Sequence, residues 1–286
     1  MSLTFVRARN HATFTTPQHS LLLARSSTVS TNTTQTGGVF DITGRTAVIT
    51  GASRGIGLHI AAGLMRQGAN VITLQRGELA PELEQLAKET GRTAQAIAVD
   101  LSDEASVASA AAQALALGQV DILVNNAGTQ IRHDAVEFPL VDFDTVMNVN
   151  IRAVFQLCQL FGAPMLERGN GKIINLASML TFQGGFRVPA YAASKGAVAQ
   201  LTKALCNEWA GRGVNVNAVA PGYIATDMNE ALLADEARNE QILMRIPAGR
   251  WGNPDDLAGA VLFLASGTAD YIHGTVLAVD GGWLSR

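Results

Sequence analysis

Short runs of apolar and β-branched residues recur along the chain, and longer stretches rich in helix-forming residues separate them. Runs this apolar are typical of strands that are buried on both faces of a parallel sheet. The intervening stretches, such as 58–67 and 106–117, have the length and residue types of helices. The alternation predicts an α/β fold, in which a doubly wound parallel sheet of about seven strands carries helices on both faces. The predicted strands are 46–50, 70–74, 94–99, 120–125, 172–178, 214–220 and 276–282.

A longer irregular piece, at about 222–253, separates the last two predicted strands. Long connections in compact domains often serve the function of the protein. We therefore expect this piece to form a helical lid over a site.

The first 40 residues differ in composition from the rest. They are rich in Ser and Thr, and their three arginines stand without any acidic residue before Asp41. This composition is typical of transit segments, and it also suits a disordered leader or a misassigned start. The whole chain has 286 residues and a hydrophobic content of 48%. Its length and composition suit one large domain with a sizeable core after the leader. We expect a flexible leader over residues 1–40 and a single domain over residues 41–286.

Charge and cysteine content exclude several classes of protein. A formal net charge of −3 gives no basic surface for a phosphate backbone, so nucleic acid is not expected as a partner. The chain contains no run of 18 apolar residues that could span a bilayer, so a membrane is not expected as a partner either. Cys158 and Cys206 have no Cys or His at metal-ligand spacing, and the five histidines are scattered. We expect free thiols in a reduced compartment and no bound metal. The expected location is the cytoplasm, or an organelle if the leader is a transit peptide.

A glycine-rich turn follows the first predicted strand. The segment TGASRGIG places Gly51, Gly55 and Gly57 between that strand and the start of a helix. Glycines there allow a tight turn and let the backbone approach a pyrophosphate, which the free N–H groups of the helix N-terminus attract. In the first βα turn of a βαβ unit the pattern predicts a dinucleotide site, although by itself it also fits an ordinary turn.

The end of the second predicted strand bears on which dinucleotide binds, because dinucleotide folds present an acid to the adenosine ribose there. Gln75 and Arg76 occupy these positions, and Arg54 lies in the glycine turn. An arginine can pair with a 2′-phosphate through its forked donors, so the pattern leans toward NADP over NAD, although either arginine could be a solvated surface side chain. Asp100, which ends the third predicted strand, could accept a hydrogen bond from adenine or could cap a helix.

Small residues close the fourth predicted strand, where NNAG contains Asn126, Ala127 and Gly128. They would let the backbone lie against a flat ligand, and they also fit a simple turn.

Tyr191 and Lys195 stand four residues apart in a predicted helix, so they share one face. A tyrosine has a pKa near ~10, and a nearby ammonium in a partly dry cleft would lower it toward neutrality. Such a tyrosine can take a proton from an alcohol or give one to a carbonyl. Ser178, after the fifth predicted strand, could hold the reacting oxygen, and Asn150 could fix a water beside Lys195; each alone could equally be structural.

Four motifs follow one another along residues 42–286: TGASRGIG, NNAG, a serine followed by YAASK, and PGYIATDM. Taken together, they resemble the motifs of the classical short-chain dehydrogenase/reductase family. The resemblance implies a Rossmann-type fold and an NAD(P)-dependent oxidoreductase. It implies that Tyr191 is the acid/base, that Lys195 lowers the pKa of Tyr191 and holds the nicotinamide ribose, that Ser178 orients the substrate, and that Asn150 completes a proton relay. It also implies a homotetramer paired through helices at 150–168 and 191–211, although these could be covered within one chain. The implied cofactor-binding residues are Gly51, Ser53, Arg54, Gly55, Ile56, Gly57, Arg76, Asp100, Leu101, Asn126, Ala127, Gly128, Tyr191, Lys195, Pro221, Gly222, Ile224 and Thr226.

Within the family, the segments 178–195, 207–226, 245–254 and 279–286 resemble the enzymes that act on sugar acids such as 2-deoxy-D-gluconate or 2-dehydro-3-deoxy-D-gluconate. An anionic sugar acid needs cations or several donors around its carboxylate. Gln183, Arg187 and Arg132 lie on loops expected to border the cleft and are the candidate substrate residues; they could also be rim or subunit-contact residues.

Two other functions remain open from the sequence. The same core would serve a 3-oxoacyl thioester reductase, for which Met179, Phe182 and Phe186 would offer apolar walls. The chain could also be a nucleotide-binding protein without activity, although such a protein has no need of an activated tyrosine.

Overall fold

The computed structural model describes residues 38–286, so most of the predicted leader lies outside the described residues. Seven parallel strands form one sheet in the order β3-β2-β1-β4-β5-β6-β7, which confirms the predicted doubly wound α/β fold. The strands are β1 Thr46–Thr50, β2 Asn70–Gln75, β3 Ala94–Ala98, β4 Ile122–Asn125, β5 Gly171–Leu176, β6 Val214–Pro221 and β7 Val276–Val279.

Nine α-helices within the described part of the chain connect and cover the strands. They are α1 Gly55–Arg66, α2 Pro81–Thr90, α3 Glu104–Ala116, α4 Leu140–Met147, α5 Ala153–Arg168, α6 Pro189–Trp209, α7 Glu230–Ala234, α8 Glu236–Arg245 and α9 Pro254–Ala265. One apolar core joins α1, α2 and α9 to one face of the sheet. A second core joins α3, α5 and α6 to the other face.

The inner strands are apolar throughout because helices cover both of their faces. In β4, from Ile122 to Asn125, every residue is buried. The edge strand β3 alternates between buried and exposed positions, since one of its sides lies against solvent.

The strand order reverses at β1, which pairs with β2 on one side and with β4 on the other. Open α/β sheets bind ligands in the crevice at the carboxyl ends of the strands beside such a reversal. The fold therefore places the turn after β1 and the turn after β4 next to each other at this crevice.

The predicted lid segment is helical, because 222–253 contains α7 and α8. Apolar side chains of α8 pack with Met179, Trp251 and Trp283 in a small separate core. No helix among residues 38–286 is long and apolar enough to cross a membrane.

Both cysteines are free thiols. Cys158 is buried, whereas Cys206 is only partly so.

Candidate active site

The turn after β1 has the backbone that a pyrophosphate requires. Gly51 and Gly55 have φ angles of 67° and 55°, a left-handed conformation that side chains disfavour. The N-cap residue, Arg54, makes no capping hydrogen bond with its side chain, and the first turn of α1 contains no acidic residue. The N–H groups at the start of α1 are thus not taken by a capping side chain or shielded by a carboxylate, which fits an anion bound there.

Gly57 lets α1 begin against the glycine turn itself. A Cβ at this position would lie 2.9 Å from the carbonyl carbon of Gly51, and closer still to the Gly51 oxygen and to Asn126 Nδ2. Only a glycine fits this close approach of helix and turn.

Asn126 fastens the glycine turn from the neighbouring strand. Its Nδ2 donates to the carbonyl oxygens of Thr50 at 2.9 Å and Gly51 at 3.0 Å. The Thr50 hydroxyl in turn accepts from the backbone N–H groups of Asn126 and Ala127. The Asn126 amide group is therefore occupied in holding the turn, and the sequence did not reveal this positioning role.

The end of β2 presents a cation. Gln75 is buried and donates to the carbonyl oxygen of Glu78, so it shapes the turn, whereas Arg76 is exposed. Asp100 is also exposed, and its pKa is lowered mainly by hydrogen bonds from Ser102 and in smaller part by the charge of Arg76. The alternative role of Asp100 as a helix cap is wrong, because Asp103 caps α3.

Arg54 reaches across the crevice to the segment that follows β6. Its guanidinium lies 3.4 Å from the carboxylate of Asp227, and both side chains are mostly exposed. The methyl group of Thr226 lies close to where a Cβ of Gly55 would be. The segment after β6 thus borders the glycine turn.

The remaining predicted cofactor residues lie at the carboxyl ends of β1, β3, β4 and β6, in the turns that follow, or at the start of α1. They are Ser53, Ile56, Leu101, Ala127, Gly128, Pro221, Gly222, Ile224 and Thr226.

Tyr191 and Lys195 lie in the first two turns of α6. The Lys195 Nζ is 5.6 Å from the centre of the Tyr191 ring, and it donates to the carbonyl oxygen of Leu176 at 2.6 Å. The side chain of Ser178, two residues after β5, acts on the Tyr191 phenol and lowers its pKa. The three predicted catalytic side chains are therefore brought together, with β5 supplying one and α6 the other two.

Burial sets the proton affinities of this pair. Burial raises the pKa of Tyr191, and the side chain of Ser178 opposes that change only in part. Burial lowers the pKa of the Lys195 ammonium to about 8. The direction for Tyr191 is opposite to the lowering expected from the Tyr–Lys spacing, because removal of water disfavours the charged form of each group.

Asn150 is fully buried in a short π-helical segment, Asn148–Arg152, between α4 and α5. Its side chain bridges two elements: Oδ1 accepts from Thr129 N at 2.8 Å, and Nδ2 donates to Ser194 Oγ at 3.0 Å. A Cβ at Gly128 would lie 3.3 Å from Asn150 Oδ1 and 3.7 Å from Lys195 Nζ. Asn150 and Lys195 thus border the same small space beside Gly128, and π-helical segments are frequent at functional sites.

The lowered pKa of Lys195 predicts that stability will depend on pH. Between the folded value of about 8 and the ordinary value of 10.5, the unfolded chain binds the proton that the folded chain has released, so stability rises with pH. We expect the free energy of unfolding to rise by roughly 2 kcal/mol from this group between about pH 7.5 and 9.5. Urea unfolding at both pH values would measure it.

Lys195→Met is the matched comparison, because the change removes this titration. Burial raises the pKa of the Cys158 thiol to about 12, so this group makes the free energy of unfolding fall as pH rises. The effect is the same in wild type and variant and therefore cancels in the comparison. An equal pH dependence in wild type and variant would contradict the burial of the charged lysine.

The candidate substrate residues differ in their surroundings. The Nε of Arg187 pairs with Asp134 at 2.8 Å, and the backbone of Arg187 is left-handed, with a φ of 63°. Gln183 accepts a hydrogen bond from Arg245. Arg132 is exposed and makes no ion pair with any residue of 38–286. The structure places Gln183 and Arg187 on the loop between Ser178 and Tyr191.

The sequence did not single out Asp134, Asp227 or Arg245. Each contacts a predicted site residue from a distant part of the chain, and the spacing of residues gave no signal for such pairs. The position of Arg245 within the predicted lid was the only available indication.

A dinucleotide crevice beside a tyrosine, a lysine and a serine defines an oxidoreductase that moves a hydride and a proton. A family model described as enoyl-(acyl carrier protein) reductase matches residues 51–284. The 2-dehydro-3-deoxy-D-gluconate 5-dehydrogenase of Bacillus subtilis is 50% identical over 247 residues, which cover 86% of this chain and 97% of the relative. The chain belongs to the short-chain dehydrogenase/reductase family.

Two solved structures have the same fold. A provisionally assigned 2-deoxy-D-gluconate 3-dehydrogenase from Agrobacterium tumefaciens, solved with bound NADP, is 50% identical with a TM-score of 0.82, covering 87% of this chain and 99% of that one. A gluconate 5-dehydrogenase from Burkholderia cenocepacia, in complex with NADP and tartrate, is 42% identical with a TM-score of 0.83, covering 87% and 98%. The chain is thus an NAD(P)-dependent enzyme, and the alternative of a protein without activity is not supported.

Proposed function

We propose that this enzyme interconverts a secondary alcohol and a ketone on a sugar acid, of the 2-deoxy-D-gluconate or 2-dehydro-3-deoxy-D-gluconate type. The observation that carries the proposal is the convergence of Ser178, Tyr191 and Lys195 beside a loop that bears Gln183 and Arg187. The first three supply proton transfer, and the loop supplies donors for an anionic, hydroxylated molecule.

In this proposal Tyr191 transfers the proton. Its phenolate oxygen takes the proton of the substrate alcohol during oxidation, and its phenol form gives a proton to the carbonyl oxygen during reduction. Ser178 holds the reacting oxygen, and Lys195, charged below a pKa of about 8, stabilises negative charge on the phenol oxygen. Asn150 lines the route by which the proton reaches Lys195. The bound nicotinamide supplies or accepts the hydride.

The residues present fit NADP as the preferred dinucleotide. The N-terminus of α1 would hold the pyrophosphate, and Arg76 would pair with a 2′-phosphate. Arg54 would join Arg76 if it leaves Asp227. The end of β2 presents no carboxylate that would repel the phosphate. The two related structures described above contain NADP.

The substrate assignment is supported by the names of the relatives and by the two polar side chains, Gln183 and Arg187, on the loop. The Bacillus relative acts on a sugar acid by name, and the Burkholderia structure contains tartrate, a hydroxylated dicarboxylate. We keep Gln183, Arg187 and Arg132 as candidate substrate residues.

A 3-oxoacyl thioester reductase is the second candidate, and one observation favours it. Phe182 and Phe186, on the same loop, are 53% and 78% exposed. Exposed phenyl rings beside the site would suit an acyl chain better than a polyol. The family model also carries the name of an acyl carrier protein reductase.

Initial rates of the purified protein would separate the two candidates. The substrates are 2-deoxy-D-gluconate, gluconate and a 3-oxoacyl thioester, each with NADP(H) and NAD(H) in the appropriate redox state. We expect turnover of the sugar acids, with kcat/KM higher for NADP than for NAD. Turnover of the thioester alone would discard the sugar-acid proposal.

We also propose that the protein is a homotetramer that pairs through α5 and α6. Phe155 on α5 is 42% exposed, and a partner subunit would cover such an apolar side chain.

A further inference from the structure

Arg245, the last residue of α8, is held in one orientation beside the candidate substrate loop. Its guanidinium carbon lies 4.0 Å from the centre of the Trp283 ring. Its Nη2 donates to Gln183 Oε1 at 3.2 Å. A stacked guanidinium with one directed hydrogen bond is a preorganised donor, so it loses little further freedom when it binds an anion.

Trp283 is a rigid support for this arginine. It is almost fully buried, and its ring packs edge-on against Tyr223 with 4.8 Å between centres. Tyr223 packs in the same way against Trp251 at 5.2 Å. The three aromatic rings fix the plane on which Arg245 stacks.

The arginine is linked to the catalytic residues through the intervening segment 179–183. Met179, next to Ser178 in the chain, shares one apolar cluster with Trp283 and with Ile242 of α8. Two residues later, the Thr181 hydroxyl donates to the carbonyl oxygen of Lys195 at 2.9 Å. Gln183 therefore lies on a segment that is anchored both to the catalytic lysine and to the base of α8.

The charge of Arg245 is not neutralised by any described residue. Three other arginines of this part of the molecule each pair with a carboxylate: Arg54 with Asp227, Arg187 with Asp134 and Arg250 with Asp256. Among residues 38–286, no acidic side chain pairs with Arg245. Asp134 neutralises the charge of Arg187, so Arg245 is the arginine better suited to bind a carboxylate.

We propose that Arg245 binds the carboxylate of the substrate and so determines the preference of the enzyme for acids, with Gln183 as the residue that positions it. The proposal rests on the proposed function, in which the substrate is a sugar acid. It assigns the lid helix α8 a direct part in substrate recognition.

Arg245→Met tests the proposal, because methionine keeps an apolar contact with Trp283 and removes the charge. We expect the KM for 2-deoxy-D-gluconate to rise on the order of 10- to 100-fold, as for loss of a charge-assisted hydrogen bond, while kcat and the KM for NADP change little. The inhibition constant of tartrate, measured as a competitor of the sugar acid, should rise similarly. For the uncharged amide of 2-deoxy-D-gluconate, KM should be the same in wild type and variant.

Arg238→Met is the matched control, since Arg238 is an exposed arginine of the same helix whose guanidinium bonds only Gln241 among the described residues. It should leave all of these constants unchanged. An unchanged KM for the acid in Arg245→Met, or an equal loss for acid and amide, would overturn the proposal.

The failure of the proposed function would be recognised separately. If wild type turned over no sugar acid, tartrate binding to wild type and Arg245→Met, measured by calorimetry in the presence of NADP, would still test the anion site. Equal tartrate affinities would then overturn the role of Arg245, and weaker binding to the variant would support it.

Discussion

Tyr191→Phe is expected to lower kcat by a factor on the order of 10² to 10⁴, the range for loss of a general acid/base. The phenyl ring keeps the shape of the side chain, so the fold and the binding of NADP should be preserved. Ser178 loses its interaction with the Tyr191 hydroxyl but still accepts from the backbone N–H of Leu180 at 3.1 Å. The loss should therefore appear in turnover and not in cofactor affinity, which fluorescence titration with NADPH would measure.

The pH profile provides a second readout for this variant. Because burial raises the pKa of Tyr191, oxidation of the alcohol by wild type should accelerate as pH rises into the alkaline range. Residual activity of Tyr191→Phe should lack this rise. Tyr271→Phe is the control, since Tyr271 is 99% exposed, and it should behave as wild type. Full activity of Tyr191→Phe would show that another group transfers the proton.

Gly57→Ala is expected to abolish binding of the dinucleotide and to destabilise the fold. The added methyl group would overlap the Gly51 carbonyl and the Asn126 amide, neither of which can move without breaking the hydrogen bonds that fasten the turn. Overpacking of this kind typically costs about 1–3 kcal/mol, and displacement of the turn also removes the pyrophosphate site. Thermal unfolding with and without NADP would measure both effects.

Gly259→Ala is the matched control, because Gly259 lies in α9 and no atom of residues 38–286 outside its own helix backbone lies within 4 Å of its Cβ position. Alanine in the interior of a helix should stabilise the protein by about 0.5–1 kcal/mol relative to glycine. If Gly57→Ala bound NADP as tightly as Gly259→Ala, the close approach of α1 to the glycine turn would not be required.

The fold could be predicted from the sequence because buried parallel strands are marked by their apolar runs. The bounds of β1, Thr46–Thr50, coincide with the predicted run, whereas the runs for β5 and β7 extend beyond the observed strands into the turns that follow them. The glycine turn and the Tyr191–Lys195 pair were equally accessible, because each depends on residues close together in sequence.

Other properties of the site depend on long-range contacts, which spacing does not reveal. The pairs Arg54–Asp227 and Gln183–Arg245 join segments 173 and 62 residues apart. The direction in which the pKa of Tyr191 shifts could not be predicted from the sequence either, because it depends on how completely the surrounding elements exclude water from the phenol.

These separations bear on the order in which the site assembles during folding. The glycine turn needs only β1, α1, β4 and the two residues after β4, all within residues 46–127. The platform under Arg245 joins Tyr223 to Trp283, 60 residues further along the chain. Contacts between distant segments are entropically costly to close and form late in folding. During synthesis the segments that form the glycine turn therefore leave the ribosome well before Trp283, which completes the platform under Arg245.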